Sequence, residues 1–383
     1  MVIFLLCSMP RPSLCIIFEA IGDMSGIGKV AFQDVVNALQ AGYRITVVAQ
    51  QLDPRLRRDV EWLPLYVPPR FFLLKWATAR HFMERAIGGR RFNLIHSHQP
   101  QAASMSDVFT CHFLTRVAYE RKCLERGTST RAQFVRLQQQ GVLRLEDRCY
   151  RHWNPRTRMI FCSDLLRDEF NRLYRPQPAQ TVIDNACPAA EIPTAAARSA
   201  ARAKLLGGDT SLFVVGYLGG LDERKGYRPL LAAVRNDPAL FLLMGGPSSD
   251  RVVDSTLSGR MKACGQVRDL DTFYAACDVV AVPSVFDPCP MVVLETVARG
   301  IPVIATNGVG NLRHLLRTGA GAEWTPGESL GEIVAQIMAN KDRYRAGAAR
   351  MTEELSIENR ARRVLETYDE VLRWHGRPAH VFD

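Results

Sequence analysis

Two carboxylates lie eight residues apart in a stretch that suits the binding of a hydroxyl-rich ligand. Asp287 falls in the proline-containing, turn-rich segment 283–290, and Glu295 lies one turn into the helix expected after it. An ionised carboxylate accepts hydrogen bonds and repels phosphate, so both side chains are expected to accept from hydroxyl groups. The ordinary alternative is a crossover between two strands with a solvated Glu295, and the spacing alone leaves both interpretations open.

The elements around these carboxylates form a strand–loop–helix–strand unit. Residues 279–282 are an apolar run typical of a buried strand, a helix is predicted over 291–299, and 301–305 predicts the next strand. Gly300 is placed to end the helix. The N terminus of such a helix offers unpaired N–H groups and a positive dipole end to an anion, typically phosphate. A phosphate held beside two hydroxyl-binding carboxylates describes a nucleotide sugar.

This stretch resembles the signature of retaining glycosyltransferases of family 4, whose GT-B fold consists of two facing Rossmann-like domains. The family pattern is a Glu, seven residues, a second Glu, a helix of small residues and Gly-(Leu/Ile)-Pro-Val-Ile-Ala. Glu295 matches the second Glu, segment 300–305 matches the closing hexapeptide, and Asp287 replaces the first Glu. The resemblance implies that Glu295 binds ribose hydroxyls, that Asp287 contacts the transferred sugar, and that the donor lies at Cys289, Met291 and Val292.

A second loop, 219–226, follows the apolar run 212–218 and contains Arg224 and Lys225. It resembles the family's Gly-Arg-Leu…Lys-Gly loop, in which the two cations hold the donor diphosphate. Lys225 matches the Lys, but Gly220 stands at the Arg position. Arg224 is therefore expected to supply the second charge, because a guanidinium binds phosphate oxygens in a bidentate manner. The alternative is a solvated pair of cations on a turn.

A glycine-rich turn, 22–28, lies between the first predicted strand and a helix predicted over 30–40. Its glycines are not spaced as G-x-G-x-x-G, which disfavours a dinucleotide-dependent oxidoreductase. The turn resembles the family's first loop, and this implies that Gly26 and Gly28 lie under the donor phosphates. The alternative is a plain flexible turn.

Histidines end two predicted strands, where folds of this class place their ligands. His96 and His98 fall at the end of the strand predicted over 92–98, and His112 ends the strand predicted over 109–112. In the family a His at the second position lies beside the donor sugar, so the resemblance implies a catalytic role for His112. A structural role is expected for His96 and His98.

The length suits two domains of ordinary size, the composition is typical of a soluble globular protein, and the resemblance implies an α/β fold. The chain has 383 residues, of which 47% are hydrophobic and 23% charged. The resemblance implies an acceptor-side Rossmann-like domain at 1–187 with a basic helical insertion at 113–158. It further implies a donor-binding Rossmann-like domain at 188–356, and a terminal helix, 357–383, that crosses back to the first domain. The Pro/Ala-rich segment 188–201 reads as a linker.

The excess of positive over negative charge lies in the first half of the chain. Residues 1–188 contain 26 Lys and Arg against 16 Asp and Glu, whereas residues 189–383 contain 23 of each, in a chain of net charge +10. The segment 115–158 interleaves cations with apolar side chains, namely Arg131, Arg136, Arg144 and Arg148 among Phe134, Val135, Leu137, Val142, Leu143, Leu145, Tyr150 and Trp153. Such a mixture suits an anionic membrane surface, at about 1 kcal/mol per basic residue. A solvated helix pair is the alternative, and nucleic acid is disfavoured because the aromatic residues are few.

The group that the chain most resembles is the lipopolysaccharide core glucosyltransferase I group, which carries a basic helical insertion here and an Arg-Lys-Gly in the phosphate loop. This implies a lipid-linked or lipopolysaccharide-core acceptor and a cytoplasmic enzyme peripheral to the inner face of the membrane. The ten scattered cysteines, with no C-x-x-C pair, agree with a reducing compartment. No apolar run approaches the roughly 18 residues of a membrane span.

The implied reaction moves a hexosyl group from a nucleotide sugar, with a UDP-sugar favoured, to an acceptor hydroxyl with retention at the anomeric carbon. Lys225, Arg224 and the free N–H groups of Met291 and Val292 would stabilise the leaving diphosphate. No second carboxylate is evident as a nucleophile, so a front-face route is expected rather than double displacement. No metal or other cofactor is expected, since no Asp-x-Asp with metal-binding geometry is evident. The alternatives are a transferase of the same fold with a soluble or exopolysaccharide acceptor, and a non-enzymatic binder of anionic surfaces.

Overall fold

The computed structural model describes residues 12–66, 72–121, 130–151, 156–175, 179–208 and 211–376. Within them, the first half of the chain forms a parallel sheet from the strands β1 (Ser13–Ile17), β3 (Arg44–Ala49), β5 (Glu61–Pro64), β6 (Leu94–Ser97), β7 (Val108–Cys111), β8 (Arg158–Phe161) and β9 (Gln180–Val182). Their spatial order is β5-β3-β1-β6-β7-β8-β9. The short strands β2 (Ala20–Ile21) and β4 (Gln51–Leu52) pair with each other beside this sheet.

The second half forms another parallel sheet, of strands β10 (Phe213–Leu218), β11 (Leu240–Gly245), β12 (Met261–Ala263), β13 (Val279–Val282), β14 (Val303–Ala305) and β15 (Gly321–Glu323). The spatial order is β12-β11-β10-β13-β14-β15. The central strands of both sheets are buried along their length because helices cover both faces, which is why they read as continuous apolar runs.

Helices connect most of the strands of the described residues. They are α1 (Gly26–Gln40), α2 (Phe72–Ile87), α3 (Thr115–Glu120), α4 (Thr130–Arg151), α5 (Asp164–Tyr174), α6 (Ala195–Leu206), α7 (Tyr227–Asn236), α8 (Leu270–Ala276), α9 (Met291–Val297), α10 (Leu312–Thr318), α11 (Leu330–Ala339), α12 (Lys341–Glu354) and α13 (Ile357–Trp374). Helices α11, α12 and α13 follow the last strand. The result is two Rossmann-like sheets with their helices, and it confirms the predicted α/β fold class. No helix in the described part of the chain combines the length and the hydropathy needed to cross a membrane.

Each sheet contains a point at which the strand order reverses. In the first sheet β1 lies between β3 and β6, and in the second β10 lies between β11 and β13. Open α/β sheets bind ligands outside the carboxyl ends of the strands at such points. The glycine-rich turn follows β1, and the loops 219–226 and 283–290 follow β10 and β13. The topology therefore brings the three predicted ligand loops to the two switch points.

The terminal helix α13 crosses back to the first sheet, as predicted. Arg360 forms a two-point ion pair with Asp34 of α1, with Nη2 2.9 Å from Oδ2. The hydroxyl of Tyr368 lies 2.7 Å from Nδ1 of His96 on β6. Leu372 and its apolar neighbours on α13 join the core cluster that contains Leu14 and Ile16 of β1. The last helix thus ties the end of the chain to the first half.

Several element boundaries differ from the predicted ones. Helix α1 begins four residues earlier than predicted, at Gly26, because Ser25 caps it and its Oγ accepts a hydrogen bond from the Gly28 N–H. Helix α6 occupies the second half of the predicted linker, beginning at Ala195 after the capping residue Thr194. Its alanines favour helix, and the prolines that indicated a linker precede the cap.

Candidate functional site

The loop that carries Asp287 is fixed on two sides. The backbone N–H of Asp287 donates to the Gly308 carbonyl at 2.8 Å, and its carbonyl accepts from the Gly310 N–H at 2.9 Å. The N–H of Val285 donates to the carbonyl of Arg224 at 2.8 Å. The loops after β10 and β13 therefore form one unit, in which the buried Asp287 side chain has a defined position.

The predicted phosphate-binding cations meet Asp287 directly. Lys225 Nζ lies 2.6 Å from Asp287 Oδ2, and Arg224 Nη1 lies 3.6 Å from the same oxygen. Gly226 makes this approach possible, because it adopts a φ of +68° and a Cβ there would overlap the Pro283 carbonyl oxygen. Arg224 Nε also lies 3.6 Å from Asp222 Oδ1. Arg224 and Lys225 both line the cavity, and they are the two cations that this wall can offer to a diphosphate.

The N termini of two helices lie next to each other at this site. Helix α1 begins at Gly26 and helix α9 begins at Met291, directly after Pro290. A Cβ placed on Gly26 would lie 3.3 Å from Met291 Cγ, so the two starts are in close contact. The first-turn amides of both helices and their positive dipole ends therefore converge on the same space.

Glu295 is held by one residue from each half of the molecule. Lys29 of α1 donates to Oε1 at 3.1 Å, and the Tyr274 hydroxyl donates to Oε2 at 2.9 Å. Burial and this pairing fix the carboxylate one turn behind the start of α9. Gly28 is likewise set back, since a Cβ there would meet the carbonyl oxygens of Ala20 and Gly22.

A cavity of about 900 Å³ lies between the two halves. Of the predicted site residues, those that line it are Gly26, His112, Arg224, Lys225, Asp287, Cys289, Met291 and Val292. Gly28 and Glu295 are not among its lining residues and lie behind its wall. The cavity is also lined by residues that the sequence analysis did not single out, including Ser25, Trp76, Phe113, Gln138, Cys162 and Asn185.

The lining residues that were missed differ in how visible they are in the sequence. Ser25 was detectable, because a Ser directly before a glycine-led helix is a capping signal. Phe113 and Trp76 were not, because isolated aromatic residues in apolar sequence are usually core residues. Phe113 contacts Phe286 across the cleft with ring centroids 5.5 Å apart, and Arg224 lies over the Phe113 ring.

His112 is the end of a chain of buried polar groups. Its Nε2 lies 2.9 Å from Nδ1 of His98, and His98 Nε2 lies 3.5 Å from an Asp34 oxygen. Desolvation, with smaller contributions from Arg360 and His96, lowers the pKa of the half-buried His112 to about 3, and burial lowers the pKa of His98 as well. Both imidazoles are therefore neutral at pH 7. The Asp34 carboxylate favours a proton on His98 Nε2, which makes His98 Nδ1 an acceptor and leaves a lone pair on His112 Nδ1.

His96 is structural in this geometry. Its two ring nitrogens lie 2.7 Å from the Tyr368 hydroxyl and 2.8 Å from the Thr110 hydroxyl. Ligand atoms of Asp34, His96 and His98 lie within 4.8 Å of one another, a spacing that a metal ion could accept. The Arg360 guanidinium, however, already pairs with both Asp34 oxygens, and both His96 nitrogens are hydrogen-bonded. The group therefore fits a hydrogen-bond network rather than a cation site.

The basic helix α4 forms one wall of the cavity. Val135, Gln138, Gln139 and Val142 line it, whereas Phe134 and Leu137 point outward with 52% and 66% of their surface exposed. Leu143 and Tyr150, predicted among the apolar residues for a membrane surface, are instead buried in the protein, as is Val142. They face inward because α4 packs on α2 and α3. The side chain of Arg131, and Trp153, lie outside the described residues.

Both halves of the chain match models of glycosyltransferase domains. Residues 24–189 match the family described as Glycosyltransferase Family 4, and residues 213–340 match the one described as Glycosyl transferases group 1. The first match covers the loop before α1 and the histidines, and the second covers Arg224, Lys225, Asp287 and Glu295.

Two curated relatives align with parts of the chain. The lipopolysaccharide core biosynthesis glycosyltransferase LpsE of Rhizobium meliloti (strain 1021) is 35% identical over 103 residues, which are 25% of this chain and 30% of that protein. The glycogen synthase of Mycobacterium tuberculosis is 27% identical over 241 residues, 57% of this chain and 56% of that protein. The chain therefore matches about a third to just over half of the length of these relatives.

Solved structures agree over almost the whole chain. WaaG, a glycosyltransferase involved in lipopolysaccharide biosynthesis, superimposes with a TM-score of 0.72 at 14% identity, covering 94% of this chain and 99% of that one. Anabaena Alr3699/HepE in complex with UDP-glucose gives 0.67 at 18% identity, covering 94% and 100%. At this identity the likeness concerns the fold. The chain thus has the GT-B fold of these glycosyltransferases. Its first half is similar to Glycosyltransferase Family 4, and its second half is similar to Glycosyl transferases group 1.

Proposed function

We propose that the protein is a retaining glycosyltransferase that moves a hexosyl group from a nucleotide sugar to a hydroxyl of a lipid-linked or lipopolysaccharide-core acceptor. The observation that carries this proposal is the convergence of Arg224, Lys225 and two helix N termini on one cavity beside Asp287. A nucleoside diphosphate needs positive charge and free N–H groups, and the transferred sugar needs a side chain that accepts hydrogen bonds from its hydroxyl groups. One wall of the cavity offers the cations, the N–H groups and the carboxylate of Asp287. UDP is the favoured nucleotide, and Anabaena HepE, which shares the fold, is described in complex with UDP-glucose.

The chain's own groups would act mainly on the leaving group. As the bond between the anomeric carbon and the diphosphate oxygen breaks, negative charge develops on that oxygen. Lys225 and Arg224 are positioned to neutralise it, together with the first-turn amides of α9, at about 3–4 kcal/mol for each preorganised donor. Lys225 Nζ would exchange its Asp287 partner for phosphate when the donor binds, and this exchange frees Asp287 to accept from a sugar hydroxyl.

The front-face route receives support from the arrangement of groups at the cavity. Among the described residues that line the cavity Asp287 is the one carboxylate, and the proposal engages it with a sugar hydroxyl. His112 is neutral with a lone pair on Nδ1, so it is suited to accept a hydrogen bond from the donor sugar. Under this proposal neither group acts as a covalent nucleophile. Departure of the diphosphate and entry of the acceptor then occur on the same face of the sugar, with retention.

The acceptor side is proposed to involve helix α4. One face of α4 lines the cavity while Phe134 and Leu137 remain exposed beside cationic residues. A helix of this kind can lie on an anionic membrane and present the cavity to a lipid-linked acceptor. The proposed location is the cytoplasmic side of such a membrane.

The test is a mass-spectrometric screen in which the protein is incubated with UDP-, GDP- and ADP-hexoses and a panel of acceptors. The expected result is hexose transfer from one class of donor to a lipopolysaccharide-core or lipid-linked acceptor, unchanged by EDTA. The parallel ligand controls are NAD and an oligonucleotide, which should not raise the melting temperature as UDP does. Stabilisation by NAD or the oligonucleotide, and by no nucleoside diphosphate, would overturn the proposal.

A second candidate keeps the reaction and changes the acceptor. The glycogen synthase match extends over more of the chain than the LpsE match does, and it favours a soluble glycan acceptor. Transfer to a soluble oligosaccharide, with none to the core or lipid acceptors, would select this candidate.

A further inference from the structure

A second cavity, of about 670 Å³, lies at the opposite end of the second sheet from the proposed transfer site. Asp278, which lines it, directly precedes β13, whereas Asp287 follows that strand. Four strand residues at about 3.3 Å each separate the two ends by roughly 13 Å. None of the residues assigned to the transfer site lines this second cavity.

Positive charge dominates the lining. Arg198 and Arg202 come from α6, Lys341 and Arg345 come from α12, and Asp278 is the one acidic lining residue. Arg198 and Arg202 are mostly buried, with 17% and 14% of their side chains exposed, and both bind Asp278 Oδ1, at 3.0 and 2.7 Å. Asp278 Oδ2 is taken by the Val214 N–H. The lining of this concave site therefore contains four cations and one carboxylate, and that carboxylate is already engaged by Arg198, Arg202 and the Val214 N–H.

Lys341 and Arg345 are the cations that this structure leaves without a protein partner. Among the described residues neither forms a hydrogen bond or an ion pair, although both are half-buried at the cavity. Burial is the largest cause that lowers the pKa of Lys341, and the neighbouring cations Arg345 and Arg198 lower it as well, whereas Asp278 and Asp342 raise it. Crowded cations repel one another, and an anion that bridges them removes that cost.

The backbone favours an anion at the same place. Thr194 and Ala195, at the start of α6, line the cavity, and the first turn of this twelve-residue helix contains no acidic residue. Its dipole therefore adds to the side-chain charge instead of being compensated.

We propose that this cavity is a binding site for a phosphate monoester, with Lys341 and Arg345 as its principal ligands and Arg198 closing the inner side. A dianionic phosphate accepts several hydrogen bonds and matches the fork of an arginine, and the volume leaves room for an attached group of sugar size. The site is separate from donor binding and does not depend on the proposed transferase reaction.

Calorimetric titration tests this with UDP present in excess, so that the transfer site is filled. The probes are inorganic phosphate, a hexose 6-phosphate and, as the uncharged control, the free hexose. The parent protein should bind the phosphates and not the free hexose. Lys341→Gln combined with Arg345→Gln should weaken phosphate binding at least tenfold. Arg343→Gln, which removes an exposed cation from the same helix, should leave it unchanged.

The single variant Lys341→Gln, expected to weaken binding severalfold, replaces the double variant if circular dichroism shows that the latter is unfolded. A further experiment measures the binding of the protein to vesicles with and without phosphatidic acid. Vesicle binding that is lost with Lys341 and Arg345 and kept with Arg343→Gln supports the site and assigns the phosphate to a lipid headgroup. Equal phosphate affinity in the parent and the Lys341 variants, or no binding of any phosphate probe, would overturn the proposal.

Discussion

At the scale of single residues, Lys225 and Asp287 are the pair on which the proposed chemistry depends. Lys225 matches a family position and was predictable, whereas its 2.6 Å contact with Asp287, 62 residues away, was not. The same holds for Glu295, whose position in the motif was recognisable. Its partner Lys29 lies 266 residues earlier in the chain, and no local pattern connects them. Sequence indicated which residues to expect. The Lys225–Asp287 contact, however, depends on the packing of two loops of the second half, and the Lys29–Glu295 contact depends on the packing of the two halves.

Lys225→Ala should reduce kcat about 100-fold or more, because it removes one preorganised donor to the leaving diphosphate. Steady-state kinetics with the donor found in the screen would measure this. The matched control is Arg228→Ala, which removes an exposed cation one turn further along and should change kcat little. Activity of the Lys225→Ala protein within about threefold of the parent would remove Lys225 from the mechanism.

The buried histidines make stability depend on pH. Burial lowers the pKa of His96 to about 4 and that of His112 to about 3, whereas the unfolded chain binds these protons near pH 6.5. Because the unfolded state binds more protons below pH 6.5, the free energy of unfolding should fall as the pH drops from about 6.5 toward the folded pKa values. Each site loses about 1 kcal/mol by pH 5.5.

Urea unfolding at pH 7.5 and 5.5 tests this with His96→Gln, which removes one such site. The loss of stability between the two pH values should be smaller in this variant than in the parent by about 1 kcal/mol. His81→Gln, at an exposed position on α2, should leave the difference unchanged. An equal difference in the parent and in His96→Gln would show that His96 is not neutral in the folded protein.

At the scale of elements, strands were more predictable than helices. Buried strands of parallel sheets are continuous apolar runs, so the strands predicted over 279–282 and 109–112 match β13 and β7 to within one residue. Those predicted over 92–98 and 301–305 match β6 and β14 to within two residues. Helix α6 was partly missed because its alanines followed prolines, and the inward face of α4 was missed because its apolar residues alternate with arginines. In both helices the local sequence pattern was ambiguous, and tertiary contacts determined the extent of α6 and the buried face of α4.

Gly226→Ala should disrupt the joined loops that hold Lys225 and Asp287. The added Cβ would overlap the Pro283 carbonyl oxygen at a backbone φ of +68°, so the loop after β10 must move away from the loop after β13. UDP affinity should fall at least tenfold while the far end of the sheet remains folded. Thermal-shift titration with UDP measures this.

The control for this prediction is Gly207→Ala. Gly207 also has a positive φ, of +83°, but a Cβ there meets nothing within 4 Å. It should cost about 1 kcal/mol of stability for backbone strain and leave UDP affinity unchanged. If both variants lose affinity equally, or neither does, then contact between the two loops does not shape the donor site.

At the scale of the whole molecule, the net charge differs between the two halves of the chain. The fold places the donor-side cations on the nearly neutral second half, while the excess of +10 belongs to the first half, with α4 at its surface. This asymmetry was visible in the sequence. The structure adds that α4 both lines the cavity and exposes Phe134 and Leu137, so the charged surface lies beside the cavity to which the proposal assigns the acceptor.

The last prediction concerns this surface. Replacing Arg136, Arg144 and Arg148 by Gln should weaken binding to vesicles that contain anionic lipid at least tenfold, since each basic residue near the charged plane contributes about 1 kcal/mol. Flotation with anionic and neutral vesicles at low and high salt measures it, and high salt should release the parent protein. The matched control replaces Arg228, Arg235 and Arg343 of the second half, which lowers the net charge equally and should leave binding intact.

Phe134→Ser with Leu137→Ser should weaken binding without changing its salt dependence, because it removes apolar contact and no charge. If the parent ignores anionic vesicles at low salt, or if both arginine triples weaken binding alike, α4 is not a membrane surface. Transfer to a soluble acceptor would then be the function to pursue.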